Sequence, residues 1–346
     1  MRQTLCYIPE TFFSFPLFGW GWGFGVLLLA VVLSHIFQYV KHRKISDIGN
    51  SVALLAIGGA MLVFILPNLA EPGLGVPIRG YGFCLLLAIL SALGLVVFLA
   101  KRQHIHMEQV VSLCFWAVIT GIIGARLFYV TEYWQEMFLD QSGKILSPDK
   151  FLFNILNVAQ GGLVVFGSVL GGILGAVVFM YRNKMPMLRT LDVLATAMPL
   201  GMAIGRIGCL LNGCCFGAVT DSTWGIVFPA GSPAHFHQVF HGLVPEGAEL
   251  VLPVHPTQIY SSILALLLCG ILLLLRQLRF YQQRSGLVFA SFMILYSAGR
   301  FMIEFLRTDE DSFLGTYLTI SQNICIMSSL VGIVLFAYLC RKRDKT

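Results

Sequence analysis

The chain has 346 residues, 57% of them hydrophobic and 12% charged, with a mean hydropathy of +0.80. So few charges cannot assemble a water-soluble surface, which excludes a soluble globular enzyme and places the chain in a bilayer. The nine cysteines sit mostly singly in apolar segments, where a thiol behaves as a small hydrophobe, so neither a disulfide scaffold nor a metal site is expected.

Apolar runs long enough to cross roughly 30 Å of hydrocarbon recur along the sequence. They predict an all-α polytopic transmembrane helix bundle of about nine spans, at 17–38, 51–67, 82–100, 109–130, 161–181, 190–211, 258–275, 287–306 and 318–340. The first run begins only after Phe18 and is followed by Lys41, Arg43 and Lys44. A signal peptide places its positive charges ahead of a shorter core, so this run is expected to be retained. Two connections, 131–160 and 212–257, are longer than the rest, and long ordered loops are often functional. The second holds Trp224, Phe228, Phe236 and Phe240 among turn residues, so it is expected to lie on the membrane surface, either helping to admit a substrate or serving only as an amphiphilic cover.

Lysine and arginine concentrate in alternate connections: Lys41, Arg43 and Lys44, then Lys101 and Arg102, Arg182, Lys184 and Arg189, Arg276, Arg279 and Arg284, and finally the tail from Arg341 to Lys345. The 213–257 segment has neither residue. By the positive-inside rule the N-terminus is outside and the C-terminus cytoplasmic. The net charge of +6 then faces anionic lipid and calls for no nucleic-acid partner.

Three basic residues, Arg126, Arg206 and Arg300, fall inside apolar segments, where a charge costs a few kcal/mol unless paired or hydrated. In the orientation above, each lies near the outer end of its helix. Tyr296, Arg300, Glu304 and Arg307 recur at helical spacing, so they share a face on which Glu304 can pair with Arg300. Snorkelling interface charges are the bland reading of each arginine alone, whereas three at one depth favour a site. Guanidinium groups at an outer-leaflet site suit a lipid phosphate, which they bind bidentately and can stabilise as a leaving group. Gly167, Gly171 and Gly175, with Ser168 and Gly172, form a small-residue ridge suited to close helix packing. A helix break from Gly161-Gly162 onward, baring backbone N–H groups to a phosphate, is the alternative.

The stretch Gly205-Arg206-Ile207-Gly208-Cys209-Leu210-Leu211-Asn212-Gly213-Cys214-Cys215-Phe216-Gly217 resembles the signature of prolipoprotein diacylglyceryl transferases. In the family's order stand Arg79-Gly80-Tyr81-Gly82, Gly124-Ala125-Arg126-Leu127, Gly161-Gly162-Leu163, His255-Pro256-Thr257-Gln258-Ile259-Tyr260 and Gly299-Arg300 through Arg307. On this resemblance, residues 1–75 are an additional two-helix membrane segment, and 76–346 the transferase-like domain with an extracytoplasmic loop at 212–257. The resemblance implies transfer of a diacylglyceryl group from phosphatidylglycerol to the lipobox cysteine of exported preproteins, at the extracytoplasmic leaflet of a bacterial inner membrane, with no cofactor. It assigns phosphate binding to Arg206, and places Arg300, Glu304 and Tyr81 in the catalytic set. Arg126, Asn212, Gly162, Gln258 and Tyr260 fall to substrate binding.

Two departures stand out. The family's glycine-rich helix carries a histidine where this chain has Phe166, and Cys209 and Cys214 replace an asparagine and an acidic residue of the signature. His255 is then the candidate base, since an imidazole titrates near neutral pH, with an ordering role ahead of Pro256 as its alternative. A paralogue that binds anionic lipid or a partner without transfer is the rival reading. A transporter would need ionisable pairs at mid-bilayer or an internal repeat, and neither is evident. Cys214-Cys215, with Cys209 before them, lack the spacing of a thioredoxin-like motif.

Overall fold

The computed structural model describes residues 4–9, 11–12, 15–16, 25–29, 31, 58–59, 63, 66–71, 74–134, 138, 164–307 and 318–341. The spans expected at 17–38 and 51–67, most of the 131–160 connection, and Gly161 and Gly162 lie largely or wholly outside the described residues. The principal helices are α1 (Gly80–Arg102), α2 (Met107–Glu132), α3 (Val165–Arg182), α4 (Met187–Asn212), α5 (Pro233–Phe240), α6 (Thr257–Leu275), α7 (Leu287–Glu304) and α8 (Ile320–Arg341). Among the described residues, α1, α2, α4, α6, α7 and α8 are long and apolar enough to cross a membrane, and α3 is a shorter apolar helix. The chain is a polytopic membrane helix bundle. Its outer helical faces are apolar, as with Ile324, Met327, Leu330, Val331 and Val334 of α8, so lipid rather than water solvates them.

The chain forms two compact units, one comprising Met1–Leu86, Ile207–Cys215 and Gly225–Val254, the other Leu87–Arg206, Phe216–Trp224 and His255–Thr346. In the first, strand β1 (Thr4–Ile8) pairs antiparallel with β2 (Val76–Arg79), Thr4 opposite Arg79 and Ile8 opposite Val76. The Tyr7 hydroxyl donates to Glu71 Oε2 at 3.0 Å. The N-terminal segment, read from sequence as added helices, therefore also supplies a strand to the residues that lead into α1.

The 225–254 part of this unit is built rather than loose. Bridges join Ile226 to Val254 and Pro229 to Leu250. Helix α5 opens with Pro233 at its first position, and the Ser232 hydroxyl accepts from His235 N at 3.2 Å. The buried Gln238 amide donates to Leu252 O at 3.1 Å and accepts from Leu252 N at 2.8 Å. Phe228 is buried here, whereas Phe236 and Phe240 of α5 are exposed.

In the second unit, the glycine ridge of α3 packs on α2. A Cβ on Gly124 would lie 2.9 Å from Gly171 Cα, and one on Gly171 would meet the Thr120 carbonyl oxygen closer still, so only glycine permits this approach. Leu99 and Ala100 of α1, Val110 and Leu113 of α2, Met180 of α3 and Val193 of α4 bury one another. A second cluster joins α4, α6 and α7 through Ala195, Leu268, Leu272, Val288 and Phe292. Near it the buried Asp192 of α4 caps α7, its carboxylate accepting from Gly286 N at 2.6 Å and Phe289 N at 2.8 Å. These are donors that a helix N-terminus leaves without intrahelical partners, so the carboxylate sets the register of α7 against α4. Arg276, at the end of α6, donates to Asp192 O at 3.1 Å.

Candidate active site

Helices α4, α6 and α7 are held together one turn from their polar residues. Ser262 Oγ of α6 donates to Ala203 O of α4 at 2.9 Å, and Gly299 leaves the space that the Leu264 side chain fills between α6 and α7. This packing brings Arg206 of α4 and Tyr296 and Arg300 of α7 onto one small cavity of about 20 Å³, closed on the α6 side by Ser261 and Leu264. Both guanidinium groups act electrostatically on the Tyr296 hydroxyl.

One turn further along α7 from Arg300, Glu304 is 2% exposed and holds a charged network. Its Oε2 lies 2.5 Å from Arg300 Nη1 and 3.9 Å from Arg307 Nε. Its Oε1 accepts from the Thr319 hydroxyl at 3.2 Å. Thr319 is also the N-terminal cap of α8: its Oγ1 accepts from Gln322 N at 3.2 Å, while Gln322 Oε1 accepts from Thr319 N at 3.0 Å. A reciprocal capping box thus fixes the hydroxyl that orients Glu304. Ser321, on the first turn of α8, accepts from Arg300 Nη2 at 3.5 Å. Thr319, Gln322 and Ser321 were not singled out in the sequence, although Thr-x-x-Gln ahead of an apolar run is a readable helix start.

His255 is tied to the end of α7 through residues 217 and 218. Gly217 N donates to His255 O and His255 N to Ala218 O, both at 2.9 Å, and Ala218 N donates to Leu306 O at 2.8 Å. Gly217 is packed too closely against Leu306, His255 and Thr257 to carry a side chain. His255 Nδ1 is buried without a hydrogen-bond partner among the described residues, and its ring lies 6.4 Å from that of Tyr260. Gln258, one residue into α6, is fully buried.

The remaining expected residues fall elsewhere. Arg126 of α2 is buried with its guanidinium 5.2 Å from the Tyr129 ring centre, and it does not line the Arg206–Arg300 cavity. Tyr81 and Asn212 belong to the first unit, Tyr81 at the start of α1 and 44% exposed, Asn212 as the last residue of α4. Gly162 lies outside the described residues. Phe166 is exposed at the start of α3.

One grouping runs against expectation. The sulfurs of Cys209, Cys214 and Cys215 lie within 4.8 Å of one another, so these thiols are not isolated packing residues. Cys214 titrates above the ordinary thiol range: its hydrogen bond with Cys209 lowers the value, but Cys215 and burial outweigh that effect.

Fold and site together define a polytopic membrane protein with a partly buried arginine cluster, only partly neutralised by the buried Glu304, near the ends of two spans. Residues 67–338 match the family model for prolipoprotein diacylglyceryl transferase. The chain belongs to that family. It is 35% identical over 272 residues to a phosphatidylglycerol–prolipoprotein diacylglyceryl transferase of Rhodopirellula baltica, a segment that is 74% of this chain but only 53% of that relative. Transferase 2 of Clostridium perfringens is 34% identical over 262 residues, 76% of this chain and 91% of its own length. The Symbiobacterium thermophilum transferase is 32% identical over 283 residues, 82% of this chain and 96% of its own.

Proposed function

We propose that this chain transfers the diacylglyceryl group of phosphatidylglycerol to the cysteine thiol of a lipobox in exported preproteins, at the extracytoplasmic leaflet of a bacterial inner membrane. The observation that carries this reading is the convergence of Arg206 and Arg300 on one cavity, with Glu304 buried behind Arg300. Two guanidinium groups hold a phosphodiester in the ground state and stabilise it further as charge develops on the departing oxygen. Glu304 touches no substrate in this scheme. It positions Arg300 and offsets the cost of burying the cation.

The substrate sulfur attacks the glycerol carbon that bears the phosphate ester. A C–S bond forms as the C–O bond breaks, and glycerol phosphate leaves with the electron pair. His255 takes the thiol proton on Nδ1, the buried nitrogen without a partner among the described residues. Tyr81, Arg126, Asn212, Gly162, Gln258 and Tyr260 orient lipid and peptide, the positioning that makes the displacement effectively unimolecular. The cavity of about 20 Å³ has room for roughly one water, so a headgroup phosphate enters only as the two long arginine side chains part.

A binding-only role is the second reading, and Phe166 at the family's histidine position favours it. Expression in cells depleted of their own transferase separates the two. Restored diacylglyceryl modification of a lipobox substrate supports transfer, whereas retention of phosphatidylglycerol without modification marks a binding protein. Arg206→Ala is expected to abolish the rescue, and rescue by that variant would contradict the assigned phosphate role.

A further inference from the structure

The transfer scheme makes no use of the thiol group at the end of α4. Gly213 N and Cys214 N both donate to Cys209 O, at 2.9 and 3.1 Å, so the chain folds back over the last helical turn as soon as the helix ends. Gly213 has φ 76°, the left-handed ending that glycine supplies without strain. Cys215 has φ 59°, one of three non-glycine residues with positive φ among those described, and such a backbone persists where its surroundings over-determine it. The two left-handed residues return Cys214 and Cys215 onto Cys209, with Cys214 Sγ 3.7 Å from Cys209 O.

None of the three cysteines is in a disulfide, all are partly buried, and their sulfurs lie within 4.8 Å of one another. Thiolates about 2.3 Å from a metal stand roughly 4 Å apart in trigonal or tetrahedral geometry, so closure on an ion requires movements of under about 1 Å. Among the described residues, no imidazole or carboxylate joins the group. An all-sulfur donor set of three selects soft d¹⁰ cations over hard ones.

We propose that Cys209, Cys214 and Cys215 bind one thiophilic d¹⁰ cation, Cu(I) with three ligands or Zn(II) with a fourth position open to water. Binding exchanges three thiol protons for the ion and involves no change of oxidation state. The bound ion staples the turn that follows Asn212 and fixes the direction in which the chain leaves α4. The site is independent of the transfer reading, and either can fail without the other.

The test uses the full chain, purified in detergent and kept reduced, titrated separately with Cu(I) and Zn(II) against a chromophoric chelator. One equivalent of at least one ion is expected per chain, with sulfur-to-metal charge-transfer absorbance for Cu(I). Cys209→Ser, Cys214→Ser and Cys215→Ser each lose it, whereas Cys269→Ser and Cys325→Ser, which alter buried thiols outside the group, retain it. Less than about a tenth of an equivalent of either ion, or equal binding by the triple serine variant, overturns the proposal. So does protein isolated from cells in which two of the three thiols resist maleimide until a reductant, and not a chelator, frees them, because that pattern marks a disulfide.

Discussion

Glu304→Gln keeps the volume of the side chain and an oxygen that can accept from Thr319, and removes only the charge. Coulomb's law at an effective dielectric of about 20 gives roughly 7 kcal/mol for the 2.5 Å contact with Arg300 and about 4 kcal/mol for the 3.9 Å contact with Arg307. Much of that gross attraction offsets the cost of taking the charges out of water, and breaking one side of a buried pair typically costs about 3–5 kcal/mol net. The midpoint of thermal unfolding in detergent is expected to fall by about 6–10 °C, at roughly 2 °C per kcal/mol for a chain of this size. Arg300→Gln added to Glu304→Gln removes the stranded cation, so the double variant is expected to be more stable than the sum of the single losses implies. A midpoint within about 1 °C of the parent, or strictly additive losses, would falsify the view that this pair is a buried, mutually dependent unit.

Asp192→Ala removes the acceptor for two amides at the start of α7 and is expected to cost about 1–3 kcal/mol, with Asp192→Asn less harmful, read as thermal midpoints; equal midpoints for all three proteins would contradict the capping role. Gly171→Val places a branched side chain where a Cβ would already lie 3.0 Å from Gly124 Cα, and is expected to lower the midpoint by at least the equivalent of about 1–3 kcal/mol, whereas Gly94→Ala, in open space, leaves it nearly unchanged. If His255 accepts the thiol proton, His255→Gln lowers kcat/KM by about 100- to 10,000-fold near pH 7. That deficit shrinks as pH rises toward the ordinary thiol value of about 8.5, where the substrate ionises unaided. A deficit constant with pH points to an ordering role for His255 instead.

The spanning helices from α1 onward were legible because a bilayer demands long uninterrupted apolar runs, and the observed ends differ from those expected by a few residues only. The pairing of Arg300 with Glu304 was legible for a similarly local reason, four-residue spacing on one helix. Contacts between distant segments were not. Nothing in Thr4–Ile8 marks Val76–Arg79 as its partner, because a short strand specifies no register across such a separation. Helical depth placed Arg126 with Arg206 and Arg300, but depth does not say which way a side chain faces, and Arg126 lies beside Tyr129 away from their cavity. The cysteine cluster depends on left-handed backbone at Gly213 and Cys215, a conformation that the cysteine at 215 does not advertise. Helix α5 was missed for want of length, although Ser232-Pro233 is a readable helix start.

The most direct measurement is thioether formation in a purified system: the full chain in phosphatidylglycerol vesicles, a lipobox peptide, and mass spectrometry of the product. A diacylglyceryl-modified peptide and an equivalent of glycerol phosphate are expected, with Arg206→Ala and Arg300→Ala slower by at least about 100-fold. No modified peptide from the parent protein, or rates unchanged when both arginines are removed, would contradict the account.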